Sequence, residues 1–435
     1  MKKKITKYLL LALACLGLQS CLFQEENYFD DSSANRATAD VNRCGELLKA
    51  APNGWVMEYY VGKDYSLGGI TLLCRFDGQR VTMASQMAEA DETVSSLYSV
   101  KSEQATMLSF DTYNYLVHYF GQPQGSMSDD PNGTLGGDYE FIISSASDER
   151  IELKGKKYGN RIVMKALSED QTWKQYLTKI KKVEDDAFFY EYDLLMDGLY
   201  TGQMLRSNYT FIVTYYDEIG KVHQKTVPFM FTADGMRFHE PVTIDGQTMQ
   251  NFVWKNEVIS FVCTDEGATG VKLAGVYTAG YQSYDYYPGT YQMDFYRLND
   301  ETKQLEVASQ EVRLLKNEDG KSYWLKGLEY DILVMYDKPR GGLSVSPQLL
   351  EKVQGGYVYL AMWDVMNDYV LRNKSIGLIS YATTNGIYLV DNGVWMGEVS
   401  GFIFGVYNSQ EEDAAFIGYT DAVASIRLVK KTIEE

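Results

Sequence analysis

Apolar and polar residues alternate along most of this chain in short runs, which is the pattern of strands with one buried face. No helix-length segments separate the early runs, so the pattern predicts an antiparallel meander. Asp77-Gly78 between two of them favours a tight hairpin turn, because such turns take positive φ. The runs in the first third of the chain are 55–61, 70–76, 80–84, 139–144, 150–154 and 161–167.

Two segments have helical spacing instead. Apolar residues recur every three or four positions from Ala34 to Ala51, and Pro52-Asn53-Gly54 ends this predicted helix. A second stripe runs from Trp173 to Val183, with Ser168 and Gln171 as the predicted capping box at its start.

Strand-like runs dominate the rest of the chain. Asp234-Gly235 and Asp245-Gly246 again indicate hairpins, and 349–353 is predicted as a short helix. The runs of a middle block are 209–216, 222–231, 236–242 and 249–263. Those of a final block are 291–297, 305–315, 323–325, 356–362, 376–382, 387–389, 399–407 and 424–429.

Together these patterns predict a mainly β protein. Its antiparallel meanders form either a sandwich or lipocalin-like β blocks, with an N-terminal helix and one helix near 168–185. The predicted divisions are a leader (1–20), a tether (21–33), an α+β domain (34–190), a middle β block (191–270) and a C-terminal β domain (271–435).

The first twenty residues resemble a secretory leader. Lys2 to Lys4 precede an apolar run of Tyr8 to Leu18, which is shorter than the roughly 20 residues that span a bilayer. Leu18 to Cys21 resembles a bacterial lipobox, which implies that Cys21 carries acyl chains such as palmitate. The alternative is an ordinary leader with an incidental cysteine.

The net charge limits the classes of partner that the chain could bind. The leader holds four of the 41 basic residues, which leaves 37 against 59 acidic residues and a formal net charge of −22. A surface this acidic disfavours binding to nucleic acid and to anionic lipid head groups.

Three further cysteines, Cys44, Cys74 and Cys263, lie far apart in the sequence. They are predicted to be small buried apolar residues, and a single disulfide between two of them is the alternative.

Several segments resemble a Bacteroidetes lipoprotein family classed as a domain of unknown function, DUF4302. They are 47–60, 108–114, 136–141 and 153–157. The resemblance implies genes encoded beside SusC/SusD-type nutrient importers, a surface role in nutrient capture, and no catalytic residues. The acidic stretch 24–31 resembles the surface-export signal of such lipoproteins, and a solvated tether is the alternative.

Catalytic motifs are missing from the sequence. The histidines are His118, His223 and His239, and none belongs to an HExxH motif. A nucleophile elbow and the glycine-rich phosphate loops are also missing, so the chain is predicted to be no enzyme and to use no cofactor. His118 is interpreted as a packed or surface histidine.

Two segments suggest binding. Asp129, Asp130, Asn132 and the nearby Asp138 offer oxygen ligands for Ca²⁺, with a plain turn-rich loop as the favoured alternative. Tyr284, Tyr286, Tyr287 and Tyr291 suggest an aromatic platform for a sugar or peptide, with a tyrosine-filled sheet face as the alternative.

The function predicted from these observations is a non-catalytic binding or accessory lipoprotein of the outer membrane. It would be attached through Cys21, exposed at the cell surface, and would bind a glycan, a peptide or a SusC/SusD-type importer. A fimbrial-type structural subunit is the alternative, and a surface hydrolase ranks below both.

Overall fold

A computed structural model describes residues 32–123, 133–217, 219–411 and 413–431, apart from the side chain of Lys63. Within these ranges, no helix has the length and apolar character needed to cross a membrane. The α-helices described are α1 (Ser33–Ala50), the single turn α2 (Tyr115–His118) and α3 (Trp173–Asp186).

Helix α1 is the N-terminal helix that the spacing predicts. The Ser32 hydroxyl accepts the N–H of Asn35 at 3.2 Å and so caps the first turn. Cys44 and Leu48 are buried on one side of the helix, which packs beside the first barrel. The helix ends just before Pro52, as predicted.

Eight strands in chain order form a closed antiparallel barrel, because the first strand pairs with both the second and the eighth. This confirms the predicted meander. Of the two predicted alternatives, a sandwich and a lipocalin-like block, this part of the chain forms the closed, lipocalin-like one. The strands are β1 (Trp55–Val61), β2 (Gly68–Phe76), β3 (Arg80–Ser85), β4 (Val94–Ser102), β5 (Thr106–Phe110), β6 (Glu140–Ala146), β7 (Arg150–Gly155) and β8 (Arg161–Ala166).

Helix α3 connects this barrel to the next. Leu177, Ile180 and Val183 are buried, which confirms the predicted stripe. The predicted cap was wrong: Thr172 is the N-cap and forms a capping box with Gln175. Residues 168–171 are held as a turn instead, because the Asn53 amide donates to the carbonyl oxygens of Ser168 and Gln171 at 2.7 and 2.8 Å.

A second closed barrel again uses eight strands in chain order. Asp245 and Gly246 both have positive φ, as the hairpin prediction requires. The run predicted at 249–263 is two strands, and the closing strand lies beyond the boundary predicted at residue 270. The strands are β9 (Glu191–Met196), β10 (Leu199–Ser207), β11 (Thr210–Tyr216), β12 (Val222–Phe231), β13 (Gly235–Ile244), β14 (Gln247–Lys255), β15 (Ser260–Cys263) and β16 (Val271–Val276).

The two barrels pack closely against each other. Val56, Leu73 and Ala84 of the first barrel belong to the same buried cluster as α3 and the interior of the second barrel. Strand β1 is therefore buried along its whole length, on both faces. A strand covered in this way loses the alternation of polar and apolar residues.

The described part of the C-terminal domain contains twelve strands, with one large buried cluster and a smaller second one. Its longest strand, β28, pairs with three others, and the pairing between β17 and β28 closes a circuit of eight strands. The strands are β17 (Gly289–Leu298), β18 (Leu305–Lys316), β19 (Ser322–Lys326), β20 (Ile332–Asp337), β21 (Gly342–Val345), β22 (Gln348–Val353), β23 (Gly356–Asp364), β24 (Tyr369–Leu371), β25 (Leu378–Thr383), β26 (Gly386–Asp391), β27 (Gly401–Tyr407) and β28 (Phe416–Lys430).

The short helix predicted at 349–353 was wrong, because this segment is strand β22. It pairs with β23 through a tight hairpin at Val353 and Gly356. Leu350 and Val353 pack against the domain core. The spacing of apolar residues in a five-residue segment cannot distinguish a helix from a strand. Pairing with β23 therefore determines that the segment is a strand.

Candidate functional site

The tyrosine-rich segment predicted as a platform lies partly inside the C-terminal domain. Tyr287 and Tyr291 are only 1% and 0% exposed. The Tyr287 hydroxyl donates to the carbonyl oxygen of Gly341 at 2.8 Å, and that of Tyr291 donates to the carbonyl oxygen of Tyr287 at 2.6 Å. Buried hydroxyls need such partners. These two rings form core, so the predicted surface platform of four tyrosines does not form.

The other two tyrosines of the predicted platform lie nearer the surface. Tyr284 is half-buried, and its hydroxyl donates to the carbonyl oxygen of Ser322 at 2.8 Å. Tyr286 is exposed, and the ammonium of Lys430 lies 5.2 Å from its ring centroid. Ligand binding by these two residues stays a prediction.

Of the predicted calcium ligands, Asp129, Asp130 and Asn132 lie outside the described residues. The carboxylate of Asp138 is buried and accepts the N–H groups of Lys157 and Tyr158 at 2.7 and 3.1 Å. Burial raises the pKa of this carboxyl, and the backbone donors oppose that rise. A Cβ on Gly155 would lie 1.9 Å from its Oδ2, so the carboxylate occupies the space that a side chain would need. Asp138 thus holds the turn after β7.

The three histidines lie in separate places, and each contacts a tyrosine ring. His118 stacks on Tyr139 with ring centroids 4.7 Å apart, and its Nδ1 lies 3.1 Å from the backbone nitrogen of Asn114. The interpretation of His118 as a packed or surface residue is confirmed. His223 lies 2.8 Å from Asp217. Within the described ranges, no group of three or more His, Cys, Asp or Glu side chains could hold a metal ion.

The cysteines are also accounted for. Cys44, Cys74 and Cys263 are free thiols and all are buried. Burial raises the pKa of the Cys263 thiol to about 11. This confirms the prediction of small buried apolar residues and makes all three poor nucleophiles near neutral pH.

An open groove of about 650 Å³ lies on the outside of the C-terminal domain. Because Ile332 and Val334 face the core, the alternate residues Leu333 and Met335 of β20 face outward into the groove. We call it the C-terminal groove. Its lining residues are Leu333, Met335, Ser346, Pro347, Gln348, Leu349, Tyr359, Arg372, Asn373, Lys374 and Gln410.

One wall of the C-terminal groove combines a guanidinium group with aromatic rings. The Arg372 guanidinium carbon lies 4.8 Å from the ring centroid of Tyr359 and 4.2 Å from that of Tyr407. The two rings are nearly perpendicular, with centroids 5.7 Å apart. Arg372 also donates to the carbonyl oxygen of Glu411. The wall therefore has a fixed geometry, with a donor group beside an aromatic face.

One side-chain amide joins two of the strands that line the groove. Gln348 Oε1 accepts the N–H of Leu333 at 2.8 Å, and its Nε2 donates to the carbonyl oxygen of Leu333 at 2.9 Å. The amide therefore stands in for a peptide group of a neighbouring strand and holds β22 beside β20. Gln348 was not predicted as a site residue; the local signal in the sequence is Ser346-Pro347, a pair that favours a turn.

A weak similarity to a solved structure illustrates how little the comparison of folds contributes. That structure is the crystal structure of a protein of unknown function from the DUF3598 family, from Nostoc punctiforme PCC 73102. It is 8% identical over 56% of this chain and 98% of that chain, with a TM-score of 0.14, which supports no conclusion. No curated protein matches the chain.

Two family profiles match the sequence. One, described as a domain of unknown function (DUF4987), matches residues 264–404, which include most of the residues lining the C-terminal groove. The other, described as a domain of unknown function (DUF4302), matches residues 25–256, more than half of the chain. That match covers α1, the first barrel, α3 and most of the second barrel, so the chain belongs to the DUF4302 family.

Proposed function

We propose that this protein is a lipid-anchored component of the outer cell surface that binds a glycan or peptide without transforming it. In this proposal Cys21 carries the lipid, and the bound ligand is passed to a SusC/SusD-type importer. The C-terminal groove is the observation that carries the binding role. Its apolar floor, aromatic wall and polar rim are the mixture that small-molecule and peptide sites present.

The chemistry of the groove favours an elongated polar ligand. Leu333, Met335 and Leu349 offer apolar contact, while Arg372 and Asn373 offer hydrogen-bond donors at one side. A sugar presents an apolar face and a polar edge, and a peptide presents alternating side chains and amides, so both fit such a surface. The acidic balance of the chain after its leader, −22, supports the exclusion of nucleic acid.

Replacing Tyr359 by alanine is expected to weaken ligand binding by roughly five- to thirty-fold, because a central aromatic contact contributes about 1–2 kcal/mol. The ligand is first found by exposing the non-lipidated protein to glycan and peptide arrays, and its Kd is then measured by calorimetry. Tyr381→Ala is the matched control, since Tyr381 is exposed and lies outside the groove. An unchanged Kd for Tyr359→Ala, with the fold intact, would remove the groove from the proposal.

The importer part of the proposal predicts a stable association in the native outer membrane. Affinity capture of the tagged, lipidated protein is expected to recover a TonB-dependent barrel and a SusD-type lipoprotein. A Cys21→Ser variant serves as control, because it should not reach the same membrane. Recovery of neither partner contradicts the importer role, and ladders or filaments in electron micrographs would favour a fimbrial subunit.

A further inference from the structure

A second cleft, of about 360 Å³, lies where the two barrels meet. Strands β1, β7 and β8 of the first barrel line one side, and β13 and β14 of the second barrel line the other. We call it the inter-barrel cleft. It is independent of the C-terminal groove, whose lining residues all belong to the C-terminal domain.

The inter-barrel cleft is rich in cationic groups, although the chain as a whole is strongly acidic. Arg150, Arg161 and Arg237 line it together with Glu58 and Glu240. The Glu58 carboxylate is buried, and it pairs with Arg237 and with Lys165, whose Nζ lies 2.9 Å away. Glu58 is therefore already matched by two cations. Its role is to hold the two barrels together.

The other two arginines of the cleft, Arg150 and Arg161, differ in whether a carboxylate already pairs with them. Arg150 pairs with Glu152 at 2.9 Å. The side chain of Arg161 is exposed at the mouth of the cleft and forms no ion pair or hydrogen bond with the described part of the chain. Glu240, the second carboxylate that lines the cleft, forms no ion pair within the described residues. An anion in the cleft would therefore meet a guanidinium group that needs no displacement.

His239 forms the aromatic wall of the cleft. Its ring centroid lies 4.3 Å from that of Tyr60 and 4.0 Å from that of Tyr65, so the imidazole is held between two rings. Burial lowers the pKa of His239, Glu240 opposes this, and Arg161 and Arg237 lower it further. The neutral ring adds no positive charge beside the arginines, and it can still donate one N–H to an anion.

We propose that the inter-barrel cleft binds an oxyanion, the sulfate or carboxylate group of a small ligand, between Arg161 and His239. A planar guanidinium group recognises both groups through paired N–H donors. The volume of the cleft lies near the lower end of the range for ligand sites, which suits a single sugar-sized unit. This site requires neither the lipid anchor nor the C-terminal groove.

Histidine NMR gives a direct test, because the chain has three histidines. The non-lipidated protein is titrated with sodium sulfate, with glucuronate and with neutral glucose at constant ionic strength. We expect a saturable shift of the His239 resonance, assigned by its loss in His239→Gln, and a rise in the His239 pKa when the anion binds. Glucose should produce neither, and whether sulfate or glucuronate binds tighter identifies the preferred group.

Arg161→Gln is expected to weaken anion binding by about tenfold or more, since it removes a charge-assisted hydrogen bond. Arg313→Gln is the matched control, because Arg313 is also exposed but lies on β18, far from the cleft in the fold. Unchanged His118 and His223 resonances in Arg161→Gln would show that the fold is intact. The proposal is overturned if neither anion gives a saturable shift, or if Arg161→Gln and Arg313→Gln bind equally well. Neither result would affect the C-terminal groove.

Discussion

Replacement of Cys21 by serine is expected to move essentially all of the protein from the membrane fraction to the soluble fraction. The proposed attachment depends on acyl chains, each buried CH₂ of which contributes about 0.8 kcal/mol. The acidic charge of the chain after its leader also opposes contact with anionic lipids. The prediction therefore follows from the loss of the Cys21 thiol, to which the acyl chains would be attached.

The measurement is incorporation of labelled palmitate together with fractionation of membranes. Cys44→Ala is the matched control, because it also removes one cysteine but leaves Cys21 in place. Palmitate label that persists in Cys21→Ser would show that the lipid is on another residue. Membrane retention after the label is lost would contradict the lipid anchor as the means of attachment.

Replacement of Gly68 by alanine is expected to lower the free energy of unfolding by about 2–5 kcal/mol. Gly68 has φ of +70°, where an L-residue costs roughly 1–2 kcal/mol. A Cβ at this position would also lie 2.2 Å from the carbonyl oxygen of Tyr209, in the loop before β11. Backbone cannot give way as a flexible side chain can, so the barrels must separate, with an overpacking cost of about 1–3 kcal/mol.

Gly198→Ala separates the two contributions. Gly198 also has positive φ, but a Cβ there would meet nothing within 4 Å. Urea unfolding of the two variants, followed by tryptophan fluorescence, should show Gly198→Ala losing only about 1–2 kcal/mol. If the free energy of unfolding falls no further in Gly68→Ala than in Gly198→Ala, the close approach of the barrels at Gly68 adds nothing to the cost of the substitution.

Local patterns were sufficient for much of the secondary structure. The stripe from Ala34 to Ala51 and the hairpin at Asp245-Gly246 were both predicted, because helix spacing and turn chemistry are properties of neighbouring residues. Strands in which polar residues interrupt the apolar face were harder to predict. Strand β4 was missed because serines and a lysine interrupt its alternation. The capping box was placed at Ser168 because the same S/T-x-x-Q pattern occurs twice in succession there.

The two proposed binding sites could not be predicted in the same way. The inter-barrel cleft joins Arg161 to His239, and the C-terminal groove joins Leu333 to Arg372, so each depends on contacts between residues far apart in the chain. The predicted tyrosine platform failed for a related reason. Composition does not distinguish a ring on the surface from one such as Tyr291 in the core.

By itself, the sequence determined that this is a mainly β, acidic protein of the DUF4302 family with a helix at each end of its first β block. Those properties follow from local periodicity, charge and motifs. Only the tertiary structure decided that the meanders close, with β8 returning to β1 and β16 to β9. Closure depends on which strand meets the first one, and no residue pattern within either strand records its partner.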